Sequence, residues 1–433
     1  MKSDSLKDLL SYEHTFDCVQ CGYCLPACPT YVTTEKESHS PRGRIHLVKM
    51  AAEGKISIED MGQSMDLCLG CRACETVCPT NVQYGKIYES AKSAITEQKK
   101  PKRTLKEKTV RKLIFEKGIN NKSVMRIVGK GIDLYQKTRM DQVIPKSGLL
   151  KMLPESMREM EKLIPRVDKS KEMSRKHTHL KPDGAPVMKV AFFIGCIMDA
   201  LYGRINDLSM LLLQKAGCEV LLIEEQNCCG ALHQHSGENE AAIGLVKANI
   251  EAFEKYDVDF VVNSIGGCGA MMVEYHHLFR PGDEWYDRAE RFASKAKDIS
   301  WIANQLNLPL EKRIARTAIY QPSCHLRNVQ KVYDPPVELL KKIPGLKYVQ
   351  LPEQDMCCGS AGIYNITHYE EASEILDRKM NHIKPLYPDI IVTSNPGCHL
   401  QMQHGIEKEG LKDQVKVMHI VELLAEASGL RHF

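Results

Sequence analysis

Val187-Met188-Lys189-Val190-Ala191-Phe192-Phe193-Ile194-Gly195-Cys196 is an apolar run that ends in a glycine and a thiol. A run of this length, rich in β-branched and aromatic side chains, reads as a buried strand. A helical stretch follows, then Val220-Leu221-Leu222-Ile223, then Cys228-Cys229-Gly230. A second helical stretch leads to Phe260-Val261-Val262 and on to Gly267-Cys268. The same order returns downstream. Thr317-Ala318-Ile319-Tyr320 precedes Ser323-Cys324, Tyr348-Val349-Gln350-Leu351 precedes Cys357-Cys358-Gly359, and Ile390-Ile391-Val392 precedes Gly397-Cys398. Cys196 to Cys228 is 32 positions and Cys324 to Cys357 is 33; Cys229 to Cys268 is 39 and Cys358 to Cys398 is 40. Chance does not place eight cysteines this way, so residues 187–310 and 311–433 are read as two copies of one unit.

Short apolar strands alternating with longer helices predict βαβ units with parallel sheets, an α/β fold. Each cysteine then falls just beyond the carboxyl end of a strand, where open α/β sheets collect their ligands. Two copies imply two related sites or one shared site. The vicinal pairs Cys228-Cys229 and Cys357-Cys358 restrict the chemistry. Adjacent α-carbons sit about 3.8 Å apart across a trans peptide, below the roughly 4.4–6.8 Å usual for a disulfide. Two adjacent sulfurs also strain a chelate on one tetrahedral zinc and suit neighbouring irons of one cluster better. An iron–sulfur cluster, zinc and redox-active or buried thiols all stay open for Cys196, Cys228, Cys229 and Cys268, and for Cys324, Cys357, Cys358 and Cys398.

Upstream lies a different cysteine pattern. Cys18, Cys21, Cys24 and Cys28 are followed by Pro29, and Cys68, Cys71, Cys74 and Cys78 by Pro79, with identical spacing. This resembles the bacterial ferredoxin motif, in which three clustered thiolates serve one cluster and the fourth serves the other. The resemblance implies two 4Fe–4S clusters, one on Cys18, Cys21, Cys24 and Cys78, the other on Cys68, Cys71, Cys74 and Cys28. Paired zinc sites would instead use two two-cysteine hooks each. The 40 positions from Cys28 to Cys68 include a helical pattern over 43–53, so residues 1–98 are expected to form an α-helical ferredoxin-type domain. Arg42, Arg44 and Arg72 are candidate cations beside the clusters.

Residues 99–186 carry no cysteine. Between Lys100 and Lys130 there are 11 Lys and Arg against Glu107 and Glu116, with Leu105, Val110, Leu113, Ile114 and Phe115 suggesting helical pieces. This stretch reads as a basic helical linker region, interrupted by Pro145, Pro154 and Pro165 and ending in a linker over Pro182 to Pro186. Its basic face is open to three uses: a solvated helix surface, anionic headgroups of a membrane, or an acidic partner.

The strings Ser40-Pro41-Arg42-Gly43-Arg44, Leu67-Cys68-Leu69-Gly70-Cys71-Arg72-Ala73-Cys74-Glu75-Thr76-Val77-Cys78-Pro79, Cys228-Cys229-Gly230-Ala231-Leu232-His233 and Cys357-Cys358-Gly359-Ser360-Ala361-Gly362 carry a wider likeness. Over roughly residues 14–427 the layout resembles the iron–sulfur subunits of glycolate oxidase. It is also similar to those of lactate-utilisation and anaerobic glycerol-3-phosphate dehydrogenase systems, and to the cysteine-rich domains of heterodisulfide reductase. The resemblance implies an electron-transfer subunit of a flavin-dependent 2-hydroxy-acid dehydrogenase, glycolate first and lactate second. Such a subunit relays single electrons from an FAD-containing partner toward a quinone or another electron acceptor. A heterodisulfide-reductase-type thiol–disulfide reductase subunit, an iron–sulfur subunit of an anaerobic glycerol-3-phosphate dehydrogenase and a zinc-stabilised binding protein are the alternatives. One departure stands out: heterodisulfide reductase repeats end in Cys-x-x-Cys, whereas here Cys268 is followed by Met271 and Cys398 by Gln401. His233, His235, His325 and His399 are near enough in sequence to substitute.

The remaining observations are exclusions. Hydrophobic residues at 43% and charged residues at 26% argue against a disordered chain. A net charge of +4 without an aromatic RNA-binding motif argues against nucleic acid. Gly266-Gly267-Cys268-Gly269 does not match a dinucleotide fingerprint and no P-loop lysine motif occurs, so no flavin or nicotinamide site is expected on this chain. Residues 1–16 mix Lys2, Asp4, Lys7 and Asp8 without an apolar signal core, and no run of about 18 apolar residues occurs. The expectation is a cytoplasmic protein, peripheral at most at the inner face of the cell membrane.

Overall fold

The structure is a computed structural model that describes residues 3–118, 120–144, 158 and 178–430. Pro145, Pro154 and Pro165 of the linker region lie outside the described residues.

Two sheets form the second half. The first contains β1 (His179–Leu180), β2 (Met188–Phe192), β3 (Cys218–Leu222), β4 (Phe260–Asn263) and β5 (Ala296–Asp298), in the order β1-β3-β2-β4-β5. The second contains β6 (Thr317–Tyr320), β7 (Lys347–Val349), β8 (Ile390–Thr393) and β9 (Lys416–His419), in the order β7-β6-β8-β9. Every pairing is parallel except β1 with β3. Helices connect successive parallel strands, so both faces are covered and the strands can be apolar throughout. Val190 and Phe192 point into one core and Ala191 and Phe193 into another, the two-residue alternation of a pleated strand. The predicted α/β repeat is therefore present. Each copy also gains an outer strand, β5 or β9, that the cysteine-centred reading did not anticipate.

The two copies are not separate globules. Val190, Phe192, Val220 and Val262 of the first sheet share one continuous core with Ala318, Tyr320, Ile390, Val392 and Met418 of the second. Leu208 and Leu212, on the helix Gly203–Lys215, and Leu423 and Leu424, on the helix Ile420–Ala427, belong to the same core.

The first hundred residues are helical. Pro41–Ala52, Ile58–Asp66 and Tyr84–Lys99 pack around Leu10, Val48, Met61, Met65 and Ile87. The helix Pro41–Ala52 starts where it does because the Ser40 hydroxyl accepts the Gly43 N–H at 3.0 Å and Pro41 needs no donor in the first turn. A Cβ at position 43 would collide with the Glu37 carbonyl oxygen, which explains the glycine.

The basic region forms the helices Leu105–Arg111 and Lys122–Lys137, with a π-helical stretch Lys112–Gly118 between them. Part of its charge is used internally. Arg111 reaches Glu238 of the first repeat at 2.6 Å, Arg103 lies 3.6 Å from the same carboxylate, and Lys102 pairs with Glu59 at 2.9 Å. The segment thus straps the helical domain to the first repeat. Among the described residues no helix is long and apolar enough to cross a membrane.

Candidate metal centres

All 17 cysteines are free thiols, and 16 of them gather in four places. In the helical domain the sulfurs sort crosswise between the two motifs. Cys18 is influenced by Cys78 and Cys21, and Cys24 by Cys18. Cys74 has Cys71, Cys68 and Cys28 as its charged neighbours. A sulfur-lined pocket takes in Cys18, Cys21, Cys24 and Cys78, with Cys74 at its edge. Cys21 is exposed, whereas Cys28 and Cys71 are buried. The outer set is therefore at the surface and the inner set below it.

Burial raises the thiols of Cys71 and Cys74 far above their ordinary value, followed by repulsion from neighbouring sulfurs; Cys24 rises to about 11. At Cys78 burial pulls upward, but the Thr80 hydroxyl and the N–H groups of Val82, Thr80 and Asn81 outweigh it and hold the thiol below its ordinary value. Backbone N–H groups also meet Cys18 from Gln20, Cys24 from Arg42, and Cys68 from Gly70 at 3.4 Å. Donors aimed at sulfur stabilise thiolate.

Arg44 gives the strongest test of what belongs here. Its guanidinium is 1% exposed. It donates to Ser64 O at 2.9 Å and Thr30 Oγ1 at 3.0 Å, and lies 3.9 Å from Cys28 Sγ. Among the described residues no carboxylate lies within ion-pair distance of it. An isolated buried cation is costly unless a negative group compensates it. Burial pulls Arg44 toward neutrality, but attraction to the Cys68 and Cys28 sulfurs, in their thiolate form, and to the Tyr84 oxygen outweighs this and raises it above its ordinary value. Four thiolates around a +2 cube carry about −2, so the donor set and the lone cation both fit a 4Fe–4S group. Arg42 instead pairs with Glu37 at 2.7 Å and donates to Gln20 O, at the rim of the outer set. Arg72 bridges Glu75 and Glu274 and ties the domain to the first repeat.

In the first repeat, Cys196 follows β2, Cys228 and Cys229 follow β3, and Cys268 follows β4. The vicinal sulfurs diverge: Cys228 lies 3.4 Å from Cys196, and Cys229 lies 3.1 Å from Cys268. The second repeat follows the same pattern, with Cys357 at 3.9 Å from Cys324 and Cys358 in one buried cluster with Cys398. There are two sites, one per copy. The glycine of each motif is left-handed, φ 90° at Gly230 and 92° at Gly359, and a Cβ on Gly359 would press on Ala372 O at 2.9 Å. That backbone turn lets two adjacent sulfurs reach different partners. Among the described residues no group of three or more His, Cys, Asp or Glu is arranged to hold a single metal ion.

The four histidines divide. His233 Nε2 bonds Phe115 O at 2.8 Å, with its ring against the Phe115 ring. His399 packs edge-on to Tyr202. His325 Nδ1 lies 3.3 Å from Cys324 Sγ, and the His235 ring sits tilted against His325, centroids 5.3 Å apart. Lys379, 1% exposed, went unnoticed in the sequence because it sits on an ordinary amphipathic helix, Tyr369–Ile383. Its ammonium donates to Glu353 O at 2.6 Å, with Cys357 and Cys358 among its charged neighbours. Cys218, the seventeenth cysteine, is a core residue of β3 whose thiol burial raises to about 12.

Crosswise ferredoxin cysteines on a helical domain, followed by paired cysteine sites at the strand ends of two α/β repeats, define a multi-centre iron–sulfur protein class. Residues 14–82 match the 4Fe–4S dicluster domain, 190–273 and 318–403 the cysteine-rich domain, and 106–164 the linker region of the glycolate oxidase iron–sulfur subunit. The probable glycolate oxidase iron–sulfur subunit of Bacillus subtilis is 44% identical, over 98% of this chain and 97% of its own. The glycolate oxidase iron–sulfur subunit of Escherichia coli is 28% identical, over 95% and 93%. Lactate utilization protein A of Geobacillus thermodenitrificans is 32% identical over 55% of this chain and 98% of its own. The chain belongs to the family of glycolate oxidase iron–sulfur subunits.

Proposed function

We propose that this chain is the iron–sulfur subunit of a flavin-dependent 2-hydroxy-acid oxidase, with glycolate as the first substrate to test and lactate the second. The observation that carries the reading is full-length similarity to a protein named for glycolate oxidase, joined to the crosswise cysteine sets and the lone buried Arg44. In this reading Cys18, Cys21, Cys24 and Cys78 hold an outer cluster, and Cys28, Cys68, Cys71 and Cys74 an inner one. Bound clusters of this kind supply one-electron chemistry. The chain's own residues do the rest. The N–H groups around Cys78 and Cys68 stabilise thiolate, Arg44 balances the inner set's charge, and Met61, Met65 and Ile87 keep water from the inner side.

The hydroxy-acid pocket and the flavin belong to a partner, because two-electron oxidation of an alcohol needs a hydride acceptor. The electrons then leave singly toward a quinone, with the subunit cytoplasmic and peripheral to the membrane. The cysteine-rich sites, Cys196, Cys228, Cys229 and Cys268 and Cys324, Cys357, Cys358 and Cys398, hold further iron–sulfur groups or zinc. Metal analysis of anaerobically purified chain separates these. About 8 irons means the ferredoxin pair alone, 12–16 means iron in the repeats, and 2 zincs with 8 irons means zinc there. The functional test uses the chain together with the flavoprotein that co-purifies with it. Glycolate or lactate should reduce the clusters; a flavoprotein that turns over either acid while the clusters stay oxidised refutes the reading.

A further inference from the structure

The two cysteine-rich sites look equivalent in sequence, yet their surroundings differ. The second touches the inner ferredoxin set directly. Cys71 and Cys357 belong to one apolar cluster with Leu69, Tyr364 and Ile375, and Cys324 packs against it. Asn328, one helical turn beyond Cys324, donates to the Cys71 carbonyl at 2.8 Å from a buried position and accepts from the Thr76 hydroxyl at 3.2 Å. Tyr364 reaches across to Leu67 O at 3.2 Å.

Among the described residues the first site has no such junction with the inner ferredoxin set; its helix Gly266–Val273 meets the second repeat instead, where the Gly267 N–H donates to Asn395 Oδ1. Its sulfurs meet one another, Cys196 with Cys228 at 3.4 Å and Cys229 with Cys268 at 3.1 Å. Its repeat meets the helical domain through Arg72–Glu274 and Thr96–Ser236, contacts that carry no sulfur. The buried charge follows the same division. Lys379 stands beside Cys357 and Cys358, whereas the corresponding helix of the first repeat, Asn239–Glu254, offers the neutral Asn249, bonded to Cys228 O at 2.9 Å. Among the described residues no carboxylate lies within ion-pair distance of Lys379, as with Arg44. Two fully buried basic side chains thus flank one continuous patch of sulfur, with the Glu353 and Asp355 carboxylates also acting on Lys379.

We propose that the inner ferredoxin set and the second repeat's cysteine set form one coupled unit, joined at Cys71, Cys324 and Asn328, with Arg44 and Lys379 as its counter-charges, and that the first repeat's set stands outside it. Cys324, Asn328 and Lys379 are then positioning residues for whatever the inner set holds. This rests on the reading of the ferredoxin cysteines as cluster ligands.

The test is a redox titration of the anaerobically purified full chain, followed by electron paramagnetic resonance of the ferredoxin signals. Cys324→Ser, Asn328→Ala and Lys379→Met should each shift the inner signal's midpoint potential or line shape and leave the outer signal in place. Asn249→Ala, the matching change beside the first repeat's set, should leave both unchanged. Iron content and far-UV circular dichroism identify any variant that fails to fold, and the remaining two second-repeat variants then decide. Inner signals that ignore all folded second-repeat variants, or that respond equally to Asn249→Ala, overturn the proposal while leaving the cluster reading intact. An unmodified chain with no reducible signal overturns both.

Discussion

Arg44 and Glu89 show how single buried charges report on their surroundings. Among the described residues Arg44 has two neutral oxygens and a sulfur edge for partners, so the inner sulfur set is where its compensating charge is expected. Replacing it with Met removes a cation next to a centre that becomes more negative on reduction. The reduced form loses stabilisation and the inner midpoint potential falls. A hydrogen bond to a charged group is worth about 1.5–3 kcal/mol, so the fall should be roughly 60–130 mV for one electron at about 59 mV per tenfold; an unmoved potential in a folded variant contradicts the assignment. Glu89 is different. Burial, then repulsion from Glu274, raises its carboxyl from the ordinary 4.5 to about 7, against the opposing pull of Arg72 and a hydrogen bond from Gln234. The unfolded chain gives up this proton near pH 4.5 and the folded chain near pH 7. This carboxyl's contribution to stability is therefore present below pH 4.5 and lost as pH rises to about 7. Glu89→Gln should remove that slope, and the melting temperature of the variant should gain on the parent between about pH 4.5 and pH 7.

At the scale of elements, the strap Leu105–Arg111 and Lys112–Gly118 holds by one aromatic anchor more than by its many charges. Phe115 is buried against His233, and its carbonyl accepts the His233 Nε2–H. Truncating a buried Phe to Ala typically costs about 3–5 kcal/mol, more than exposed ion pairs such as Lys102–Glu59 return. Phe115→Ala should leave the ferredoxin signals intact and open the 105–118 segment to limited proteolysis; Lys102→Ala should not. Helix in this segment was legible from its apolar spacing, but its anchor was not, since nothing local to Phe115 points to a histidine 118 positions away. The strands divide similarly. β2, β4, β6 and β8 are central, buried on both faces, and so stand out as apolar runs. β5 is three residues, Ala296-Lys297-Asp298, at a sheet edge, where burial does not impose an apolar pattern. Repeat spacing made the cysteine loops readable, because loops set by the same backbone turn at Gly230 and Gly359 repeat the same distances. The Cys71–Cys324 junction had no such signal, since it arises only when two domains pack.

For the whole molecule, the gradient of burial across the four cysteine sets gives a direction. The outer ferredoxin set opens to solvent at Cys21, among Val19 and Tyr23, which are 63% and 69% exposed. The inner set is covered by the helical domain's own core, and the repeat sites lie at strand ends beneath loops that hold each other. The Gly267 N–H donates to Asn395 Oδ1 at 3.1 Å, and Gln330 donates to Gly266 O at 3.0 Å. Apolar side chains around a solvent-facing centre are what a protein partner needs to approach closely while excluding water. The flavoprotein of the proposed complex should therefore meet the chain at Val19 and Tyr23. Val19→Asp with Tyr23→Asp leaves every cysteine in place, so iron content and the chemically reduced signals should match the parent. Placing two carboxylates at the centre of such a contact should slow substrate-driven reduction of the clusters at least tenfold, since an unpaired charge buried in an interface costs several kcal/mol. Stopped-flow reduction by flavoprotein and glycolate measures this directly. An unchanged rate would move the docking face away from the outer set, toward the exposed apolar residues Ile127 and Leu134 of the helix Lys122–Lys137.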